Sequence, residues 1–197
     1  MRKILHPSAV CLAAAVALAA TWTACQDESF TFSTYRNNLT IDNSIHQDPV
    51  LAGAMNAFSK GIFCRITFSQ KTGVKKFIFE DNHGNRSEKP FNAVDERLQS
   101  QNHLGMNNGL IVGFTTFGSS APGTAAGGDA FVAYDNQCPD CFRYDELPLR
   151  NFPLSLHGNG MASCDNCRRK YDLNVVGNGL TRYRATTTGS HGILHVE

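Results

Sequence analysis

Ala130-Phe131-Val132-Ala133-Tyr134-Asp135-Asn136-Gln137-Cys138-Pro139-Asp140-Cys141 is an apolar run that halts at polar residues and delivers a C-x-x-C pair. The run is short and bounded by turn-forming residues, so it predicts a buried strand that ends in a loop. A second pair, Cys164-Asp165-Asn166-Cys167, opens onto Lys170-Tyr171-Asp172-Leu173. Two loops that each offer two thiolates at knuckle spacing can close a tetrahedron around one ion. Cys138, Cys141, Cys164 and Cys167 are therefore candidate metal ligands.

Outward from these loops the chain keeps the pattern of short strands. Leu110-Ile111-Val112-Gly113-Phe114 is a second apolar strand candidate, separated from the first by a segment of small residues and Pro, Ser119 to Gly128, that reads as a flexible hairpin loop. From Gly61 the apolar period is two, with Ile62, Cys64, Ile66 and Phe68 on one side and Phe63, Arg65 and Thr67 on the other. Gln70 to Gly73 turns the chain into a partner strand, Val74 to Glu80, and Asp81 to Asn85 turns it again. After the second cysteine pair, a Gly177-Asn178-Gly179 turn precedes a strand over Leu180 to Thr187, and a turn at Gly189 to Gly192 leads into Ile193 to Val196. Helical signals are few. Asp48-Pro49 starts one helix, with Val50, Leu51, Ala54, Met55 and Phe58 at helical spacing, and Asp95 to Leu104 predicts another. The fold class is mainly β, an antiparallel sandwich or barrel, with the cysteine loops at about 134–173 as a small metal-binding subdomain.

The amino-terminal end predicts export. Met1-Arg2-Lys3 is a basic start, and Ala9 to Ala20 is an apolar run too short to span a bilayer as a mature helix, the pattern of a signal peptide over 1–24. The run ends in Trp22-Thr23-Ala24-Cys25, which resembles a bacterial lipobox, with Trp22 where that motif usually carries a Leu-like residue. Cys25 is then the expected lipidation site, and a plain secreted chain is the alternative. Residues 25–48 mix acidic, Asn and Thr residues with little apolar periodicity and read as a tether, leaving 49–197 as the folded domain. The expected location is the cell envelope, lipid-anchored, with the outer membrane as the expected site, the membrane itself being one partner.

Loss of Arg2 and Lys3 with the leader turns 18 basic residues into 16 against 17 acidic ones, a formal charge near −1. Such a balance gives no electrostatic attraction for nucleic acid, and Arg168-Arg169-Lys170 is the one local basic cluster. No phosphate-binding glycine loop, nucleophile elbow, H-E-x-x-H pair or dinucleotide fingerprint is present, so nothing in the chain assigns an enzymatic reaction. Cys64 reads as a buried core thiol, His83 and His103 as surface histidines, and Tyr134, Tyr171 and Tyr183 as sheet-packing side chains. A tyrosine close to a sulfur ligand can also tune a metal centre.

Phe131 to Pro139 resembles the first cluster-binding loop of Rieske domains, and Cys164 to Leu173 resembles the second. The tail from Leu180 through Gly189 to Val196 is similar to the closing strands of that fold, so the resemblance spans about residues 105 to 197. The chain resembles most closely a group of exported lipoproteins of Bacteroides-type bacteria that carry a Rieske-like domain. A Rieske site uses C-x-H and C-x-x-H, each loop giving a cysteine to one iron and a histidine to the other. Here Asp140 stands at the first histidine position with Cys141 one residue later, and Cys167 stands at the second. His157, His191 and His195 lack the spacing to replace them.

Four thiolates without imidazole leave three chemistries open. One is a single tetrahedral ion, Zn or rubredoxin-like Fe, in a mainly structural or binding role. The second is an all-cysteine [2Fe-2S] cluster, which would make the chain an electron-transfer module with an envelope redox partner and a potential well below that of a Rieske centre. The third is a pair of disulfides, which an oxidising envelope permits. A thioredoxin-like dithiol would need a helix opening in a βαβ unit, a context that this pattern does not predict.

Overall fold

The computed structural model describes residues 32–70, 73–99, 104–106, 109–117, 130–143 and 145–197. The leader, Cys25, His103 and the small-residue segment 119–128 lie outside the described residues. Within them the chain is mainly β. Twelve strands form three antiparallel sheets.

The central sheet has six strands in the order β10-β6-β5-β2-β3-β4. It holds β2 (Phe63–Ser69), β3 (Lys76–Asp81), β4 (Arg86–Pro90), β5 (Leu110–Phe114), β6 (Phe131–Asp135) and β10 (Arg182–Tyr183). The period-two hairpin pairs Cys64 with Asp81 and Ser69 with Lys76, and the two apolar strands pair Leu110 with Asp135 and Phe114 with Phe131. Successive side chains of a strand point to opposite faces, so β2, β5 and β6 each feed two layers. Cys64, Ile66, Leu110, Val112 and Ala133 enter one core, and Phe63, Ile111, Val132 and Tyr134 enter the other.

The first core is closed by a second sheet of three strands, β1 (Leu39–Asp42), β12 (Ile193–Val196) and β11 (Ala185–Thr187), and by the short helix α2 (Pro49–Ala54). Helix α1 (Asn43–His46) links β1 to it. Asp48 caps α2 by accepting from the Val50 and Leu51 amides at 3.0 and 2.9 Å, with Pro49 at the first position. The second core is closed by β7 (Leu154–His157), β8 (Met161–Cys164) and β9 (Lys170–Asp172), the sheet that carries the second cysteine pair.

Four expectations are corrected. The tether does not run to residue 48, because Leu39 and Ile41 are fully buried and β1 pairs with β12 from Leu39↔Val196 to Asp42↔Ile193. The helix after Asp48 ends at Ala54, which leaves Phe58 at 98% exposure instead of on a packed face. The second helix, α3, spans Ala93–Leu98 and not Asp95 to Leu104, because Asn92 and Asp95 form a capping box that starts it at Ala93 and the backbone leaves helical geometry at its C-cap, Gln99. The strand over 180–187 is divided: β10 pairs with β6 and β11 pairs with β12, so Arg184 marks the passage from one sheet to another.

A buried carboxylate joins the layers. Asp135, at the end of β6, is fully buried and accepts from the Tyr183 hydroxyl and the Met106 amide at 2.7 Å each and from the Gln137 amide at 2.8 Å. The Gln137 side chain continues outward, donating to the Met106 carbonyl at 3.1 Å and accepting from the Phe152 amide at 2.7 Å. This network sets the path of the chain from the core strand into the first cysteine loop.

Because Ile41 is buried in the core and not in a tether, Ile41→Ala should lower unfolding free energy by about 3 kcal/mol. Urea denaturation measures this, and an unchanged midpoint would return residues 39–42 to the tether.

Candidate metal centre

The four loop cysteines converge. The sulfurs of Cys138, Cys141, Cys164 and Cys167 all lie within 4.8 Å of one another, with Cys138 to Cys167 and Cys141 to Cys164 each at 3.7 Å. A tetrahedron of sulfurs about 2.3 Å from one ion has edges near 3.8 Å, so the four could hold a single metal ion. A two-iron cluster places two irons and two sulfides between its thiolate pairs and sets those pairs farther apart than one tetrahedral edge. Among the described residues no disulfide joins any of the four, or Cys64.

The two loops reach this point by different local structures. In the first, the Cys141 and Phe142 amides both turn back to the Cys138 carbonyl, at 3.3 and 3.0 Å, and the Cys138 amide is fixed on the Phe152 carbonyl at 2.9 Å. In the second, β8 ends at Cys164, whose amide donates to the Arg169 carbonyl at 3.0 Å while its carbonyl accepts from the Arg168 amide at 2.8 Å. Closing that knuckle requires a left-handed residue, and Arg168 supplies it at φ 60°. Glycine adopts this region without a Cβ penalty, so Arg168 holds local strain that the loop overcomes.

Backbone amides point at the sulfurs: Asp140 donates to Cys138, Asn166 and Cys167 donate to Cys164, and Arg169 donates to Cys167. The Asn166 amide group adds a bond to Cys141 at 3.2 Å. Burial pushes the Cys138, Cys141 and Cys164 thiols up, whereas the Arg169 amide pulls the exposed Cys167 thiol down. Metal uptake must displace protons from the three raised thiols, so affinity falls as pH falls.

A support shell that the sequence pattern did not reveal lies beside Cys138. The Tyr171 hydroxyl is 3.1 Å from the Cys138 sulfur and donates to Asp140 Oδ2 at 2.7 Å, and Arg169 donates to Asp140 Oδ1 at 2.8 Å. One hydroxyl carries one proton. While Cys138 is a thiol it can donate to the tyrosine oxygen and Tyr171 to Asp140; once Cys138 is a thiolate, Tyr171 is the hydroxyl placed to donate to it. Burial first, then the Cys138 and Asp140 contacts, raises the Tyr171 pKa and keeps its proton in place. Asp140 thus faces the tyrosine instead of the candidate metal position.

Other sequence candidates fall as expected or elsewhere. Cys64 is a buried core thiol that burial pushes up, away from the four-sulfur cluster. Tyr134 and Tyr183 pack in the two cores, and burial raises Tyr134 to about 12. His157 is exposed and bonds to Ser163 at 2.7 Å, and His83 is exposed in its turn. No histidine joins the cluster among the described residues.

Comparison with protein-family models, curated proteins and solved structures finds no match.

Two substitutions probe this geometry independently of metal identity. Arg168→Gly should raise stability by about 1 kcal/mol by relieving the left-handed strain, measured by thermal melting. Tyr171→Phe should weaken metal binding about 10-fold, measured by chelator competition, while leaving the metal stoichiometry unchanged.

Proposed function

We propose that this chain is an exported lipoprotein whose Rieske-like domain has exchanged its cluster site for a four-cysteine site holding one zinc ion, which clamps two loops and serves a structural or binding role. The observation that carries this reading is the mutual approach of four sulfurs to within 4.8 Å, with tetrahedral-edge separations across the loops. Cys138 and Cys164 are buried beneath Tyr171 and Leu154 in the second core, so an ion there would tie the small sheet to the central one. A bound zinc supplies the attraction that a sheet of three short strands lacks, as structural zinc does in small domains generally.

The Rieske-like part of this reading is supported by the sequence likeness of Phe131 to Pro139 and of Cys164 to Leu173 to the two cluster-binding loops. The leader and Cys25 support export and lipid anchoring at the cell envelope. A second reading is electron transfer through iron, as a rubredoxin-like ion or, less compatibly with the close sulfurs, a [2Fe-2S] cluster. The exposure of Cys167 favours it, because an electron needs a ligand at the surface.

Metal analysis by mass spectrometry of protein purified without added metal or chelator, together with a visible spectrum, tests the proposal. About one zinc per chain without visible absorption is expected for a single tetrahedral site. Iron with visible bands would move the site to electron transfer, and a metal-free chain whose four loop thiols resist thiol reagents would make them disulfides. Cys164→Ser should release the ion and lower the melting temperature; full metal retention in that variant would overturn the assignment.

A further inference from the structure

Three arginines surround the point at which the described chain begins. The guanidinium carbons of Arg182 and Arg184 stand 4.9 and 5.1 Å from the centre of the Phe32 ring, and Arg36 lines the same hollow of about 600 Å³ together with Arg184 and His195. Among the described residues none of these arginines is ion-paired with a carboxylate, and Glu197, the acidic residue of the hollow, faces His195 at 3.7 Å. The Arg182 Nε is buried without a hydrogen-bond partner. The segment is fixed in place: the Ser33 amide donates to the Arg182 carbonyl at 2.7 Å, and Asn37 both donates to the Val196 carbonyl at 3.3 Å and accepts from the Gly105 amide at 3.1 Å.

We propose that this face, formed by Phe32, Arg36, Arg182 and Arg184, docks on anionic phospholipid headgroups. Guanidinium groups match phosphate oxygens bidentately, and an apolar Phe ring among them can insert at the headgroup and acyl boundary. The occupant follows from chain length and charge. Cys25 precedes Phe32 by seven residues, which reach at most about 25 Å when fully extended. A lipid on Cys25 would therefore hold this face within reach of the membrane surface. That placement rests on the lipid-anchor reading above, whereas the unpaired arginines do not.

The test uses the exported mature chain. Its intact mass is read first, and the protein is then mixed with phosphatidylcholine vesicles with or without phosphatidylglycerol and followed by hydrogen exchange. Residues 32–38 and 182–184 should gain protection only when phosphatidylglycerol is present. The double variant R36Q/R184Q should lose most of that gain, up to about 30-fold, since each arginine at an anionic surface is worth about fivefold. R86Q on β4, at the opposite edge of the sheet, serves as the control and should retain it, and unchanged melting temperatures establish that both variants fold. Equal protection on both vesicle types, or full protection in the double variant, overturns the proposal. A mature mass lacking the lipid overturns the anchor alone, and the same vesicle comparison then still decides the face.

Discussion

The central strands of this protein are apolar on both sides, and the rest of the architecture answers that constraint. Phe63, Ile111, Val132 and Tyr134 on one face, and Cys64, Ile66, Leu110 and Val112 on the other, are all within 1% of complete burial. A sheet with two apolar faces must be covered twice. One cover is assembled from the two ends of the described chain, β1 and β12, which lie far apart in sequence and meet only in the folded state. The other is inserted between β6 and β10 and contains only three short strands. Its own apolar residues are few, and two of them, Cys138 and Cys164, are candidate ligands. The cover and the cysteine site are in this sense one structure.

Asp135 shows how the inserted layer is given its direction. A fully buried carboxylate is unfavourable unless it is richly hydrogen-bonded, and this one accepts from Tyr183, Met106 and Gln137. Burial still pushes its pKa up against the pull of those donors. The three donors come from a closing strand, a connecting loop and the first cysteine loop. They fix where β6 stops and where Cys138 begins, so the position of the sulfur is set by a polar node within the core and not by the loop alone.

Local pattern made part of this legible. The apolar runs over 110–114 and 131–135, the period-two hairpin and the two C-x-x-C pairs are each carried by neighbouring residues, and they emerge as β5, β6, β2, β3 and a converged sulfur cluster. What escaped was set by long-range partners. Leu39-Thr40-Ile41 alternates, but over only three residues between asparagines and an aspartate, and its strand exists because β12 lies beside it 155 residues later at Thr40↔His195. The break at Arg184 is invisible because both halves of 180–187 are extended and only their partners differ. Asp140 and Tyr171 are 31 residues apart, and no spacing rule connects them.

The asymmetry between the two loops bears on what the site can do. Three of the four thiols are raised by burial, and Cys138 and Cys164 are closed within the second core. Cys167 alone is exposed, with its sulfur held by the Arg169 amide and its neighbour Arg168 in a conformation that glycine would adopt more easily. A purely structural clamp has no need of an open corner, and an arginine at a left-handed position is a local disadvantage. Arg169, by contrast, bonds to Asp140, which accepts from the Tyr171 hydroxyl beside Cys138. The second loop therefore does two things at once: it closes the tetrahedron and, through Arg169, reaches across to the support of the first loop. Cys167 and Arg169 belong to one short turn, so the exposed corner of the site and the support of the buried Cys138 are built from the same segment of chain.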